Sequence, residues 1–281
     1  MADRGLLAGL TTVTLWGSAF VGIRAAGETL SPGAIALGRL LVSCAILSGV
    51  AMLRRVGLPA RAALLPSAVF GVLFLGAYSV ALNAAEHHVD AGTAAMVVNV
   101  GPLLIAVLAG VFLGEGFRRQ LVLGCCLALA GCVLIGLATT GHRSSTAGLA
   151  LLVVATSAYA CAVVVQKVAL GRATAFQVIW LGCAAATVAC LPFAPALAHE
   201  AGSARALAWT AYLGAMPTAL GFATWSYALR SATAGRAASL NYLIPVVAIA
   251  LGWACLGERP APLALAGGAV CVCGVYVARL T

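Results

Sequence analysis

The chain has 281 residues, 63% hydrophobic and 8% charged, with a net charge of +9 and a mean hydropathy of +1.08. A soluble domain carries about a quarter charged residues, so this composition excludes a water-soluble globule. The basic residues are spread through short links between apolar runs, which is how a membrane chain is oriented, and no nucleic-acid partner is expected.

A membrane-crossing helix needs about 20 apolar residues. Ten runs qualify, at 5–23, 33–52, 64–84, 91–113, 119–139, 147–169, 175–195, 206–229, 235–256 and 262–279. Barrel strands would alternate over about ten residues, and no such alternation is present. Backbone polar groups in hydrocarbon must be satisfied within the segment, so the fold class is an all-α membrane protein of ten transmembrane helices. Met1–Arg4 is too short for a cleavable leader, and the first run is expected to be a retained helix. Arg54 and Arg55 close the second run, Arg118 and Arg119 separate the fourth from the fifth, and His142–Ser145 is a polar link at mid-chain. The ten cysteines all fall inside the runs, without CxxC spacing or neighbouring histidines. They are read as small packing residues, so no metal or other cofactor is expected.

The Lys/Arg distribution sets the orientation. The N-terminus, the even-numbered links and the C-terminus carry Arg4, Arg54, Arg55, Arg61, Arg118, Arg119, Lys167, Arg172, Arg230, Arg236 and Arg279. The opposite face has Arg24, Arg143, Arg205 and Arg259. Eleven against four predicts that both termini are cytoplasmic.

The second half echoes the first. Residues 101–115 read GPLLIAVLAGVFLGE and residues 244–258 read IPVVAIALGWACLGE, an offset of 143. The same offset links Ala91–Ala95 to Ala234–Ala238, and Gly124 and Gly131 to Gly267 and Gly274. Five runs per half mean that the second copy enters the membrane inverted, an arrangement found in secondary transporters.

Several motifs stand in order along these runs. They are Trp16-Gly17-Ser18-Ala19-Phe20 in the first, Pro32 followed by Arg39 in the second, and Ala81-Leu82 in the third. Ala94-Ala95 with Pro102 lies in the fourth, and Gly-Glu pairs, Gly114-Glu115 and Gly257-Glu258, end the fourth and ninth. This pattern resembles the EamA module, the repeat unit of the drug/metabolite transporter (DMT) superfamily, in two copies at 1–140 and 147–281. The second copy departs from it: Tyr159 replaces the tryptophan, and Ala175 and Gly182 replace Pro32 and Arg39. The two halves are therefore expected to contribute unequally to a pathway. The resemblance implies a central cavity lined by the first, third, fourth, sixth, eighth and ninth helices.

Arg39 is the one charged residue clearly inside a run, about 10 Å from its outer end at 1.5 Å per residue. A charge there faces protein or a water-filled cavity. It either meets an anionic substrate group such as a carboxylate or braces a neighbouring helix. Polar and aromatic residues nearer the middle of the runs complete the candidate binding set: Trp16, Tyr78, Asn99, Tyr159, Trp225 and Tyr242. Pro102 and Pro245 stand at matching positions within runs and are candidate hinges or static bends. The acidic residues Asp3, Glu28, Glu86, Asp90, Glu115, Glu200 and Glu258 all lie at ends or links. A proton-coupled carrier usually places a carboxylate within its spans, so the pattern favours a facilitator. His87 and His88 are the alternative titrating pair. Glu115 and Glu258 are read as helix-end tethers.

The function these features predict is alternating-access transport of small organic metabolites across a bacterial inner membrane. The resemblance points to amino-acid export, and the aromatic candidates lean it toward aromatic or apolar amino acids. Its partners would be a small-molecule substrate and the lipid bilayer, with one chain as the working unit. The alternatives are a proton-coupled drug/metabolite antiporter and a non-transporting membrane scaffold. An enzyme is not expected, because GxSxG, HExxH and intramembrane carboxylate pairs are all missing from the sequence.

Overall fold

The computed structural model describes residues 2–85, 88, 89, 91–139, 145–256 and 261–280. Glu86, His87, Asp90, His142, Arg143, Gly257, Glu258 and Arg259 lie outside the described residues, as do the side chains of Asp3, Arg24 and Cys255. The regular elements among the described residues are helical. The chain begins with α1 (Ala2–Ala26) and α2 (Pro32–Leu53). Next, α3 (Arg61–Phe70) passes through a π-helical turn (Gly71–Tyr78) into α4 (Ser79–Ala85). α5 (Ala91–Val98) and α6 (Gly101–Phe112) are separated by a turn at Asn99–Val100, and α7 (Arg119–Thr139) follows.

The second half starts with α8 (Thr146–Leu170) and α9 (Ala175–Cys190), which continues through a 3₁₀ turn (Leu191–Phe193) into α10 (Ala194–Glu200). α11 (Ala204–Leu213), a second π-helical turn (Gly214–Leu220) and α12 (Gly221–Ser231) form one run. α13 (Ala234–Ala238), a 3₁₀ turn (Ser239–Leu243) and α14 (Ile244–Leu256) form the next, and α15 (Pro262–Ala278) is last.

Helix starts follow local chemistry. Pro32 occupies the first turn of α2 behind an extended Ser31, where its missing N–H costs no hydrogen bond. α9 opens on a capping box: Gln177 N–H donates to Thr174 Oγ1 (3.2 Å), and Thr174 N–H donates to Gln177 Oε1 (3.1 Å). α6 ends on Gly114, whose φ of +66° suits a residue without a Cβ. The chain then turns so that the Glu115 carboxylate accepts from the N–H of Ala234, at 2.7 and 2.8 Å, at the head of α13. Glu115 is thus a helix-end tether.

Among the described residues, six helical runs are long and apolar enough to cross a membrane: 32–53, 61–85, 119–138, 146–170, 175–200 and 234–251. α15 and the run 96–112 are apolar but shorter. α1 is long but rich in hydroxyls. Its Thr11, Thr12, Thr14 and Ser18 each donate to a carbonyl three or four residues back, at 2.8–3.0 Å. This back-bonding hides the hydroxyls within the helix.

The described residues pack as two compact units, each drawing on both halves of the sequence. The first is 1–80 with 165–231, and the second is 81–164 with 232–281. In the first, α2 packs on α9 and on the π turn of 214–220, and α9 packs on α3 and the π turn of 71–78. A Cβ on Gly71 would stand 1.9 Å from the Gly182 carbonyl oxygen, and one on Gly214 would stand 2.7 Å from the Arg39 carbonyl oxygen. Positions 71 and 214, like 39 and 182, are 143 apart, so one contact occurs twice. In the second unit, α7 and α15 pack closely. Cβ atoms on Gly124 and Gly274 would meet the backbone nitrogens of Ala278 and Ala128 at 2.3 and 2.4 Å. Small residues permit such approach in the membrane. Gly76 and Gly268, by contrast, have nothing nearer than 3.8 Å.

Gly71→Ala should therefore cost about 1–3 kcal/mol through forced separation of α9 from the π turn. The expected result is a lower thermal-unfolding midpoint in detergent. Gly49→Ala has nothing within 4 Å of its new Cβ, so its midpoint should hold or rise.

Candidate functional site

The first unit holds an aromatic cluster built from three helical runs. Phe70, Phe74 and Tyr78 recur every four residues along α3 and its π turn, a spacing that keeps them near one face. Their rings meet edge-to-face, at 6.2 Å for Phe70–Phe74 and 5.4 Å for Phe74–Tyr78. From α12, Phe222 sits 4.9 Å from Phe74. Trp16 of α1 bridges the runs, with centroids 5.8 Å from Phe74, 4.9 Å from Phe222 and 5.4 Å from Trp225. Such pairs contribute about 0.5–1.5 kcal/mol each beyond area burial.

Polar bonds fix the orientation of these rings. Trp16 Nε1 donates to the Pro217 carbonyl at 3.1 Å, inside the second π turn. Trp225 is fully buried, and its Nε1 donates to Gln166 Oε1 at 2.9 Å. Gln166, also fully buried, donates through Nε2 to Ser226 Oγ at 2.9 Å. The half-buried Trp16 is therefore the presented ring, with Trp225 behind it. Thr12 with Thr224 (2.8 Å) and Ser18 with Tyr212 (2.7 Å) tie α1 to α12 and α11.

Arg39 lies in the same unit, half-buried on α2. Its Nε donates to Thr218 Oγ1 at 2.8 Å, and the Thr218 hydroxyl donates onward to the Leu213 carbonyl at 2.7 Å. Thr218 follows Pro217, whose ring nitrogen supplies no N–H to the turn behind it. Tyr78 is close enough to interact electrostatically with the guanidinium. Arg205 pairs with Glu28 at 3.3 Å, and among the described residues no carboxylate pairs with Arg39. A guanidinium in an apolar helix is thus held by one edge, without a counter-charge among the described residues.

The other candidates lie in the second unit. Tyr159 is buried on α8 with its ring against Gly101, and its hydroxyl accepts from Asn241 Nδ2. Tyr242 is fully buried in the 3₁₀ turn, and neither its hydroxyl nor Asn241 Oδ1 has a hydrogen-bond partner among the described residues. Asn99 is half-buried at the break between α5 and α6. Pro102 stands in the first turn of α6, and Pro245 is the second residue of α14. Each follows an interruption of the helix. The seven candidates thus divide, with Trp16, Arg39, Tyr78 and Trp225 in one unit and Asn99, Tyr159 and Tyr242 in the other.

The sequence reading missed Thr218, Phe74 and Phe222. Phe74 had a signal, the four-residue spacing from Phe70 to Tyr78. Thr218 had none, because its role depends on a π turn that brings it to Arg39. Gln177 serves the α9 cap and donates through Nε2 to the Gly57 carbonyl at 2.8 Å.

Replacing Gln166 with Leu leaves the Trp225 indole N–H buried without an acceptor. That costs about 1–3 kcal/mol. The expected result is a lower unfolding midpoint and altered tryptophan fluorescence, since Trp16 packs on the displaced ring. An unchanged midpoint would remove Gln166 as the anchor.

The EamA-like transporter family profile matches this chain twice, at residues 3–137 and 146–280. A protein of Streptantibioticus cattleyicolor, named as a probable terminal-alkyne amino-acid exporter, is 37% identical, with 95% of this chain and 90% of that one covered. An Escherichia coli protein, named as a probable amino-acid metabolite efflux pump, is 25% identical, with 97% and 93% covered. A crystal structure of a protein 21% identical superimposes with a TM-score of 0.85 over 100% of this chain and 98% of that one, which shows a shared fold. With six helical runs among the described residues long and apolar enough to cross a membrane, and two matches to one family profile, this multi-pass membrane protein belongs to the EamA-like transporter family.

Proposed function

We propose that this protein is a secondary exporter of amino acids, with a preference for apolar or aromatic side chains. The observation that carries the reading is Arg39, a cation within an apolar helix whose Nε is held by Thr218 and which has no carboxylate partner among the described residues. A zwitterionic cargo supplies that carboxylate. The guanidinium edge left open by Thr218 suits bidentate pairing. An apolar or aromatic side chain then packs on Trp16 and Tyr78. The names of the S. cattleyicolor and E. coli relatives, an amino-acid exporter and an amino-acid metabolite efflux pump, support the same substrate class.

The architecture behind this reading is ten transmembrane helices in two inverted five-helix repeats, 1–140 and 147–281, with both termini in the cytoplasm of a bacterial inner membrane. The recurrence of element starts at one offset supports it: Arg61 and Ala204, Gly101 and Ile244, Arg119 and Pro262 are each 143 apart. The two halves rock about a central site, with Pro102 and Pro245 as the hinges, and Asn99, Tyr159 and Tyr242 are the remaining candidates for polar contacts. One chain is the working unit. The acidic residues, confined to ends and links, favour facilitated exit down the cargo gradient.

The test is flux in proteoliposomes with labelled amino acids, including Trp, Phe, Thr and Cys, with and without an imposed pH gradient. Saturable flux of apolar or aromatic amino acids without the gradient is the expected result. Arg39→Gln should lower transport efficiency about 10- to 100-fold, the range for losing a charge-assisted bond, while Arg39→Lys retains part of it. Full flux by a well-folded Arg39→Gln protein would exclude the carboxylate role, and flux only with the gradient would replace the facilitator by a proton-coupled carrier.

A further inference from the structure

A second cationic site lies in the second unit, on arginines that the cargo reading does not use. The start of α13, the end of α15 and the start of α7 meet there. The Leu121 side chain is 2.8 Å from a Cβ built on Gly235, which sets α7 against α13. Arg236 Nη2 donates to the Arg279 carbonyl at 2.9 Å and so caps the C-terminal end of α15. The negative helix end offsets part of one charge. It does not offset two, and Arg279 brings a second guanidinium to the same place. Burial and the neighbouring Arg236 charge both pull the Arg279 pKa down. The Arg279 side chain donates no hydrogen bond among the described residues, and Arg236 Nε is buried with no acceptor. Arg118 and Arg119, both exposed, open α7 at the same end.

The carboxylate that reaches the head of α13 is already committed. Glu115 spends both carboxylate oxygens on the N–H groups of Ala234 and Gly235, at 2.7–3.5 Å. Arg236 and Arg279 are both half-buried, and a guanidinium partly withdrawn from water without a partner is costly, so proteins normally supply one. Here a neighbouring carboxylate is turned away to cap a helix, and two like charges are left side by side. Arg279 directly follows the apolar run of α15, at the depth where a helix leaves the hydrocarbon. The anions concentrated at that depth are phosphodiester headgroups, and guanidinium matches phosphate through paired N–H bonds.

We propose that Arg236 and Arg279 form a binding site for a phosphate monoanion, with Arg118 and Arg119 as its outer rim. The bound group is either the headgroup of an anionic phospholipid or a soluble phosphate, and it bridges the two guanidinium groups. By joining α13 to the end of α15 it holds the second unit together. The site is independent of the cargo site at Arg39.

The full chain, purified in neutral detergent, is titrated separately with phosphatidylglycerol, phosphatidylcholine and inorganic phosphate, and binding is read from the thermal-unfolding midpoint and from adducts in native mass spectrometry. Phosphatidylglycerol should raise the midpoint and phosphatidylcholine should not. Arg279→Gln should weaken the response about fivefold, the factor for one arginine near a charged surface. Arg279→Lys should restore most of it, and Arg54→Gln, at an exposed site in the other unit, should leave it intact. A phosphate response with the same variant pattern, without a lipid response, would assign the site to a soluble anion and support it equally. Equal responses to both lipids with none to phosphate would overturn the proposal, as would a response that Arg279→Gln leaves unchanged or that Arg54→Gln weakens as much. Arg279 is the variant of choice because Arg236 also caps α15, and its loss acts on folding.

Discussion

In hydrocarbon a backbone N–H or C=O has no water to turn to, and each one left open costs several kcal/mol. The helical runs of this chain answer that constraint, and their interruptions are best understood by what covers them. The π turn at 214–220 contains Pro217, which supplies no N–H. Around it, Thr218 bonds the Leu213 carbonyl and Trp16 bonds the Pro217 carbonyl. The same two side chains are the ones that hold Arg39 and present an aromatic face. Satisfying the backbone and building the candidate site are thus one set of bonds. Helix irregularities of this kind recur at functional sites.

The duplication explains the packing and also where it stops. Gly71 lies against Gly182, and Gly214 lies against Arg39, at positions related by the same offset. In one contact both residues are glycine, and the backbones approach so closely that a Cβ on Gly71 would collide with the Gly182 carbonyl. In the other, the position equivalent to Gly182 carries an arginine. Its backbone keeps the close contact while its side chain reaches across to Thr218. One position therefore serves packing in one half and charge in the other. The aromatic set is similarly unequal. Trp16 joins a cluster of rings, whereas its counterpart Tyr159 spends its hydroxyl on Asn241 and its ring on Gly101.

Much of this was legible in the sequence because it depends on local chemistry. Helix starts at Pro32, Thr174 and Pro262 follow capping and proline rules that need no tertiary information. The Gly114-Glu115 pair was readable as a helix end, and its carboxylate does tether one. The α7–α15 packing was written in Gly124, Gly131, Gly267 and Gly274. The π turns were not legible, since residues 71–78 read as uniformly apolar and the extra residue per turn leaves no compositional trace. The assembly of each compact unit from both halves was equally hidden, because a tandem repeat in sequence suggests that each copy packs on itself. Partner choice was the third blind spot. Gln166 and Trp225 lie 59 residues apart, and nothing local announces that one amide will orient an indole.

The charge at Arg39 also bears on the direction in which such a carrier works. An arginine cannot shed its proton at physiological pH, so the empty site carries a full positive charge in low dielectric. A bound carboxylate neutralises it. On the proposed reading a zwitterionic cargo leaves the net charge of the site unchanged, and what loading changes is pairing: the loaded carrier moves a guanidinium paired with a carboxylate, the empty carrier an unpaired one. The cargo's ammonium sits on the same carbon as the carboxylate, so it needs a polar partner of its own beside the pair. A difference of about 1.4 kcal/mol between the two barriers is tenfold in rate. A uniform aromatic pocket without the arginine would bind apolar solutes without this asymmetry. On that reading the arginine at the position equivalent to Gly182, one of several departures from internal symmetry, is the one that would select carboxylates and favour movement of the loaded carrier.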